Sequence, residues 1–264
     1  MSTLSHDHLK SLFSKQAKEY ARYRPTYPES LFAYLSSLVT DHSLAWDCAT
    51  GSGQAALKLA DFFSKVIASD LNEDQLFQAA PHPLGKVEYR IASAENSRLP
   101  AGSVNLITVA QAAHWFQIEK FYKEVKRVLK PQGVLALWCY GLARINPEID
   151  ALLDAFSRDL LGSYWEKQAL LVSDGYKSLP FPFEEIIPPA FEIKAEWTVE
   201  HLLGYLTSWS SSQTYLKKEG VDPLDVDQFR TRFEKAWSQN TESTQNKRLE
   251  VKWKLSFRIG RNLS

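Results

Sequence analysis

The stretch Leu44-Ala45-Trp46-Asp47-Cys48-Ala49-Thr50-Gly51-Ser52-Gly53-Gln54 joins a short apolar run, which ends in an acid, to a turn that contains two glycines. The residues from Gln54 to Leu59 then have the composition of a helix start. Glycines permit a tight turn and a close approach of the backbone to a ligand. A buried strand, a glycine turn and a helix N-terminus in this order predict a cofactor-binding loop.

The acid Asp47 distinguishes between two kinds of cofactor. The spacing Gly51-x-Gly53-x-x-Ala56 also satisfies the dinucleotide fingerprint, so the glycines alone leave a nicotinamide cofactor open. Asp47 would lie near a pyrophosphate bound at the following helix N-terminus. Like charges about 4 Å apart in a partly dry site repel by several kcal/mol, whereas a ligand with an ammonium group is attracted. Asp47 therefore favours a cofactor that carries a positive charge.

Further apolar runs follow the glycine turn, and polar residues follow each run. Val66 to Asp70 ends in an acid about 20 residues after the turn, where nucleotide-binding α/β units place a ribose-binding carboxylate. The carboxyl ends of parallel strands meet at one edge of a sheet, and cofactors bind there. The polar residues predicted at this edge are Asp47, Asp70, Glu95 and Gln111.

Alternating strands and helices predict an α/β fold with a doubly wound, seven-stranded, mostly parallel Rossmann-like sheet. The last two strands, Phe191 to Trp197 and Val251 to Phe257, are expected to form an antiparallel edge. We expect one domain in three parts: residues 1–140 with N-terminal helices and the cofactor core, 141–190 as a helical cap inserted after strand five, and 191–264 completing the sheet. Helices are predicted over Ile118 to Leu129, Val199 to Trp209 and Val226 to Trp237, and a polar loop over Gln239 to Lys247.

Residues 43 to 54 resemble motif I of the class I S-adenosylmethionine-dependent methyltransferases, an acid-x-Gly-x-Gly-x-Gly loop, with Ala49 where the family usually has its first glycine. The loop Ala94 to Pro100 resembles the family's loop along the adenine, and Arg127 to Gly133 is similar to its passage from helix to strand. The resemblance implies S-adenosyl-L-methionine as cofactor and S-adenosyl-L-homocysteine as product. The cofactor-binding positions that it implies are Asp47, Ala49, Thr50, Gly51, Gly53, Asp70, Leu71, Ala94, Glu95, Ala110 and Gln111.

The segment Phe13 to Pro28 is dense in tyrosine and arginine and resembles the N-terminal segment of the trans-aconitate methyltransferase-like branch (methyltransferase type 11). Members of this branch act on small acids and related metabolites. There the segment folds over the cofactor, which implies that Tyr20 and Arg24 approach its methionine end. A solvated helix whose rings fill a groove is the alternative.

Aromatic segments at 114–116, 175–183 and 206–210 are also similar to that branch. Their rings either line an acceptor site or belong to the core. His114 is either a general base or a packing residue that orients its loop. A carboxylate acceptor is ionised at neutral pH and needs no base, whereas an alcohol, phenol or amine generally does. The candidate acceptor-binding residues are Tyr23, Trp115, Tyr176, Phe181 and Trp209.

Composition narrows the class of protein. The 264 residues include 31 basic and 31 acidic side chains, and this balance argues against a nucleic-acid substrate. Cys48 and Cys139 lie in or beside predicted core strands, which favours buried thiols over a disulfide or metal pair. Met1 to Lys10 lacks the apolar core of a secretory signal, and no run approaches the roughly 20 apolar residues of a membrane span.

The sequence therefore predicts a cytoplasmic methyltransferase, monomeric or homodimeric, that acts on a small molecule without a metal and without a membrane or nucleic-acid partner. A carboxylic acid is one candidate acceptor. Two alternatives stay open: an NAD(P)-dependent oxidoreductase, and a non-catalytic sensor or interaction protein that binds S-adenosylmethionine on the same fold.

Overall fold

The structure is a computed structural model that describes residues 23–240 and 248–263. Tyr20 and nearly all of the predicted loop from Gln239 to Lys247 lie outside these residues. The strands are β1 (Leu44–Cys48), β2 (Lys65–Asp70), β3 (Val87–Ile91), β4 (Val104–Ala110), β5 (Leu129–Tyr140), β6 (Glu184–Glu185), β7 (Glu192–Trp197) and β8 (Leu249–Arg261).

Asn72, Asn146 and Thr198 each cap the start of an α-helix by accepting a hydrogen bond from a backbone N–H of its first turn. The predicted helix from Val226 is wrong at its start, because Asp227 and Gln228 adopt left-handed conformations, with φ of +47° and +55°, that a helix cannot include. The helices are α1 (Glu29–Ser37), α2 (Gln54–Leu59), α3 (Glu73–Phe77), α4 (Ile118–Val128), α5 (Pro147–Asp154), α6 (Ala169–Ser173), α7 (Val199–Thr207), α8 (Ser210–Glu219) and α9 (Phe229–Gln239).

The strands form a mixed Rossmann-like sheet in the order β3-β2-β1-β4-β5-β8-β6, and β7 also pairs with β8. The pairs among β1 to β5 are parallel, whereas β8 runs antiparallel to both β5 and β6. The mostly parallel, doubly wound fold is thus confirmed. The sheet has one strand more than predicted, because β6 has two residues and is too short to produce a periodic pattern. Consequently β8 lies between β5 and β6 instead of at the edge.

Contacts within the chain define two compact units. The first comprises residues 26–140, 170–191 and 254–264 and contains the glycine turn. Its central strand β4 is buried from Val104 to Val109, as expected for a parallel strand covered on both faces. Trp46 and Leu137 from the neighbouring strands join Phe121 and Val125 of α4 in one apolar cluster.

The second unit comprises, among the described residues, 23–25, 141–169, 192–240 and 248–253. Its described core is rich in aromatic rings. The ring of Phe156 lies 5.1 Å from that of Phe229 and 6.1 Å from that of Trp209. Trp197 and Trp253 make a further edge-on pair with centroids 4.7 Å apart. Edge-to-face contacts of this kind add to the free energy gained from burial alone. The division into a core, an inserted cap and a closing part stays a prediction.

Candidate active site

The glycine turn reverses the chain between β1 and α2 by means of three left-handed residues. Ala49, Gly51 and Gly53 have φ values of +54°, +56° and +83°. The hydroxyl of Tyr89 occupies the place that a Cβ on Gly53 would take, so only glycine fits there. The turn delivers the N-terminus of α2 to the carboxyl edge of the sheet, where backbone N–H groups are available to a ligand.

Asp47 lies beneath this turn and is 1% exposed. Its Oδ2 accepts a hydrogen bond of 2.5 Å from the Thr50 hydroxyl, and its Oδ1 accepts one of 2.7 Å from the Thr108 hydroxyl on β4. Burial raises the pKa of Asp47 to about 6, against the lowering effect of the two hydroxyls. The carboxyl is therefore mostly ionised at neutral pH and places a buried negative charge under the loop.

Asp70 ends β2 on the other side of the turn. Its Oδ2 accepts a hydrogen bond of 2.9 Å from the Gly51 amide, and its Oδ1 accepts one of 2.8 Å from the Asn72 amide. These bonds fix the plane of the carboxylate and leave one acceptor site on each oxygen. Leu71, the next residue, is 69% exposed, and Ile91, which pairs with Asp70 in the sheet, is also exposed. The polar acid thus has apolar surface beside it.

The loop after β3 is held against α4. Glu95 accepts a hydrogen bond of 2.9 Å from the Gln117 amide at the start of that helix, and Ala94 next to it is buried. The buried Glu124 on α4 accepts bonds from both the amide and the hydroxyl of Ser97, at 2.8 and 2.5 Å. Arg127 completes the arrangement with two charge-assisted bonds of 2.7 Å to Glu124.

At the end of β4, after Ala110, Gln111 adopts a left-handed conformation with φ of +58°. Its side-chain amide nitrogen donates to the carbonyl of Tyr140 at 3.0 Å, and its oxygen accepts from the Tyr140 amide at 3.2 Å. The carboxamide of Gln111 therefore ties the ends of β4 and β5 together, and its backbone N–H adds a further bond of 2.9 Å to the carbonyl of Trp138.

His114 lies in a short 3-10 turn after β4, with Nδ1 3.0 Å from the hydroxyl of the fully buried Tyr176. Burial lowers the pKa of His114 to about 4 and raises the pKa of the Tyr176 phenol well above its usual range. At neutral pH the imidazole is therefore uncharged and the phenol keeps its proton. His114, predicted as a general base or a packing residue, thus lies in contact with Tyr176, predicted as an acceptor-binding residue.

The predicted acceptor-binding aromatics are placed differently from one another. Trp115 is 54% exposed beside His114, with ring centroids 4.8 Å apart. Phe181 packs against Tyr122, and the guanidinium of Arg258 lies 4.8 Å from the centre of its ring. The ring of Trp115 is thus exposed, whereas Phe181 packs against its neighbours in the segment that follows α6. Acceptor binding by either residue stays a prediction.

The remaining candidates belong to the second unit. Tyr23 packs over Gly204 and meets the ring of His201 at 5.2 Å. Arg24 donates a long hydrogen bond of 3.4 Å to the carbonyl of Ser208 and lies over the ring of Tyr205. Trp209 is buried immediately before α8.

Several features of the first unit fit an adenosine cofactor with an ammonium group. The turn leaves no room for a side chain at Gly53, Asp70 offers acceptors to a diol, and Leu71 offers apolar surface to a base. Asp47 supplies the negative charge that a cation requires. Sequence reasoning missed Thr108 and Glu124. Thr108 was recognisable as a polar residue within an otherwise apolar run, whereas nothing in the sequence distinguished Glu124 from a solvated helix residue.

The described residues contain neither a candidate metal cluster nor a candidate membrane-spanning helix. No group of three or more His, Cys, Asp or Glu side chains could hold a metal ion within residues 23–240 and 248–263. In the same residues, no helix has the length and apolar character needed to cross a membrane.

Known proteins similar to this chain are methyltransferases. The family described as methyltransferase domain matches residues 46–137. A Dictyostelium discoideum protein named as a methyltransferase is 36% identical and covers 80% of this chain and 81% of its own. Saccharomyces cerevisiae CRG1, named as an S-adenosylmethionine-dependent methyltransferase, is 27% identical, with 81% and 85% covered. A solved structure described as a type II methyltransferase from Anaeromyxobacter dehalogenans is 40% identical with a TM-score of 0.81, covering 91% of this chain and 98% of that one.

These similarities extend well beyond the glycine turn, which taken alone had left a nicotinamide cofactor open. Sequence similarity and fold similarity each extend over about four fifths of the chain or more. The chain therefore belongs to the class I S-adenosylmethionine-dependent methyltransferases.

Proposed function

We propose that this enzyme methylates the carboxyl group of a small organic acid, as a member of the trans-aconitate methyltransferase-like branch that its sequence resembles. The observation that carries the proposal is the state of His114, which follows β4 at the carboxyl edge of the sheet. Its pKa of about 4 makes it a weak base. An acceptor that must lose a proton during the reaction would gain little from such a group.

A carboxylic acid does not have this requirement, because it is already ionised at neutral pH. Asp47, the other titratable group near the turn, is buried and accepts bonds from two threonine hydroxyls, which leaves it poorly placed to remove a proton from an acceptor. The absence of a strong base among these described groups supports an acceptor that needs none.

Cofactor binding in this proposal uses the residues around the turn. Asp47 attracts the ammonium group, Asp70 accepts from the ribose, and Leu71 covers the adenine. S-adenosylmethionine supplies an electrophilic methyl carbon when it is bound. Because methyl transfer is an in-line displacement, the remaining task of the protein is to align the acceptor oxygen with that carbon and to exclude water.

His114 serves this alignment as a hydrogen-bond donor in the proposal. We assign the Tyr176 hydroxyl, 3.0 Å from Nδ1, as the donor in this pair, which places the imidazole proton on Nε2. A neutral Nε2–H donates to one oxygen of an acceptor carboxylate while the other oxygen attacks. The exposed ring of Trp115 provides an apolar surface beside it. We further propose a cytosolic location, which the two unpaired, buried cysteines support.

The test is an assay with radiolabelled methyl donor and a panel of small carboxylic acids, each paired with its primary amide and its alcohol. Methyl esters release volatile methanol in mild base, whereas methyl ethers and methylamines do not. We expect base-labile product from acids only. Base-stable product from alcohols, phenols or amines would contradict the proposed acceptor class. Saturable binding of S-adenosylhomocysteine without transfer to any acceptor would instead favour a non-catalytic binding protein.

The Asp70→Ala variant is the control for cofactor dependence. It removes the acceptor that faces Gly51 and should abolish binding of S-adenosylhomocysteine in a calorimetric titration. Unaltered binding in this variant would contradict the assignment of the cofactor site, irrespective of which acceptor is methylated.

A further inference from the structure

Gln75 carries a polar atom that the residues around it do not satisfy. The side-chain oxygen Oε1 is buried and accepts no hydrogen bond within the described chain. A buried acceptor without a donor costs free energy, and native proteins rarely retain one without a reason. The atom lies 3.8 Å from the point that a Cβ on Gly51 would occupy. Gln75 therefore directs an unused acceptor at the cofactor turn.

Hydrogen bonds hold Gln75 in this place through a short series of residues. The Gly51 amide donates to Asp70 Oδ2, and the Asn72 amide donates to Asp70 Oδ1. The side chain of Asn72 in turn caps α3 by accepting from the Gln75 amide at 3.2 Å. The helix that carries Gln75 is thus oriented by the same carboxylate that faces the turn. Two acceptors, one from Asp70 and one from Gln75, flank Gly51.

We propose that Gln75 is a ribose-binding residue, and that its Oε1 accepts a hydrogen bond from one of the two ribose hydroxyls while Asp70 accepts from the other. This inference rests on the proposed cofactor site. A vicinal diol offers two O–H donors, and each Asp70 oxygen already has one acceptor site filled by a backbone amide. One site is left on each Asp70 oxygen, so Asp70 and Gln75 together offer three acceptor oxygens to two hydroxyls. The Gln75 oxygen gains most from such a bond, because it is buried without a donor of its own.

The experiment compares three ligands on two variants by calorimetric titration. The ligands are S-adenosylhomocysteine and its 2′-deoxy and 3′-deoxy analogues. Gln75→Met keeps the length of the side chain and removes the acceptor. Gln78→Met makes the same change at the residue that follows α3 and serves as the matched control.

We expect Gln75→Met to weaken S-adenosylhomocysteine roughly five- to tenfold, the loss typical of one neutral hydrogen bond. One of the two deoxy analogues should bind wild type and Gln75→Met equally, because it lacks the hydroxyl that Gln75 accepts. Gln78→Met should bind all three ligands as wild type does. Without ligand, Gln75→Met should unfold at the wild-type temperature or above it, since an unsatisfied buried acceptor has been removed.

Two results would overturn the inference. Equal affinity of wild type and Gln75→Met for S-adenosylhomocysteine would show that the oxygen takes no part in binding. Equal weakening of all three ligands would show that Gln75 acts through the shape of the turn and not through a hydroxyl. Failure of wild type to bind S-adenosylhomocysteine at all would contradict the cofactor site itself, which is a distinct outcome.

Discussion

The imidazole of His114 and the phenol of Tyr176 lie 62 residues apart in sequence, yet Nδ1 and the hydroxyl oxygen are separated by 3.0 Å. Tyr176 is fully buried and reaches this position from a left-handed backbone conformation, with φ of +63°. The contact fixes the orientation of an imidazole whose pKa burial has lowered to about 4. His114 is thereby kept neutral over the whole range of pH in which the enzyme is expected to work.

The first prediction is that His114 does not titrate near neutrality. An NMR titration of isotope-labelled histidine should give one imidazole with a pKa of about 4, which His114→Gln should remove from the spectrum. Between pH 4 and 6.5 the unfolded chain binds a proton that the folded chain does not. The free energy of unfolding should therefore fall by up to about 3 kcal/mol as the pH drops through this window.

Methyl-transfer rates provide the second readout for His114. The rate on a carboxylic acid should show no step near pH 6.5, and His114→Gln should lower the rate without changing the shape of the pH profile. A rise in rate with an inflection at the pKa measured for His114, lost in this variant, would identify His114 as a general base and contradict the proposed role.

A second prediction concerns the buried charge of Asp47. Its pKa of about 6 in the folded chain exceeds the usual value of 3.8, so the folded state binds the proton more tightly than the unfolded state does. Stability from this group is present below about pH 4 and is lost as the pH rises to about 6. Asp47→Asn should therefore stabilise the ligand-free protein by up to about 3 kcal/mol at pH 7 and weaken binding of S-adenosylhomocysteine.

The stabilisation by Asp47→Asn should disappear at pH 4, where the wild-type carboxyl is itself protonated. Asp61→Asn removes a charge from an exposed position after α2 and is the matched control, with little effect expected at either pH. Chemical denaturation at the two pH values measures the difference. A loss of stability at pH 7 in Asp47→Asn would mean that the two threonine hydroxyls outweigh the cost of burying the charge.

Much of the first unit was predictable because its signals are local. The apolar run of β1, the acid at its end and the glycine turn lie within 11 consecutive residues, and each has a direct physical meaning. The contact between Glu124 and Ser97 was not predictable, because a glutamate on a basic helix has the pattern of a solvated face. Only the tertiary structure shows that Glu124 is buried.

The conformation of Ala49 was not predictable from the sequence either. By size alone, alanine at this position is a small departure from the family's pattern, since it also leaves room for the ligand. The structure gives Ala49 a φ of +54°, in the left-handed region that disfavours any residue with a Cβ. The family's usual glycine at this position therefore has a conformational reason, which the size of the side chain does not predict.

A third prediction follows from the left-handed conformation of Ala49. Ala49→Gly should raise the free energy of unfolding by roughly 0.5–1 kcal/mol, since relief of strain exceeds the added entropy of the unfolded chain. Ala55→Gly makes the same change within α2 and should lower it by about 1 kcal/mol. Urea denaturation of both variants is the measurement. Destabilisation by Ala49→Gly would show that the left-handed conformation costs less than the flexibility of glycine.

The last prediction concerns the loop between β3 and β4, which the family resemblance places along the adenine. Arg98 in this loop is left-handed, with φ of +58°, and the neighbouring Ser97 is held by two bonds to Glu124. Glu124→Gln keeps the shape of the side chain but removes the charge that Arg127 and Ser97 bind. Loss of charge-assisted bonds of this kind costs about 1–3 kcal/mol, so unfolding should become easier by that amount.

A loop that is held less firmly should also recognise the base less well. The affinity of Glu124→Gln for S-adenosylhomocysteine should fall severalfold. The ratio of its affinity for S-adenosylhomocysteine to its affinity for the analogue with hypoxanthine in place of adenine should also decrease. Glu119→Gln, an exposed change at the start of the same helix, should leave both quantities unchanged. A merely structural role of Glu124 predicts a loss of stability with no change in base selectivity. If Glu124→Gln is less stable but keeps the full preference for adenine, then Glu124 stabilises the fold without positioning the loop for the cofactor.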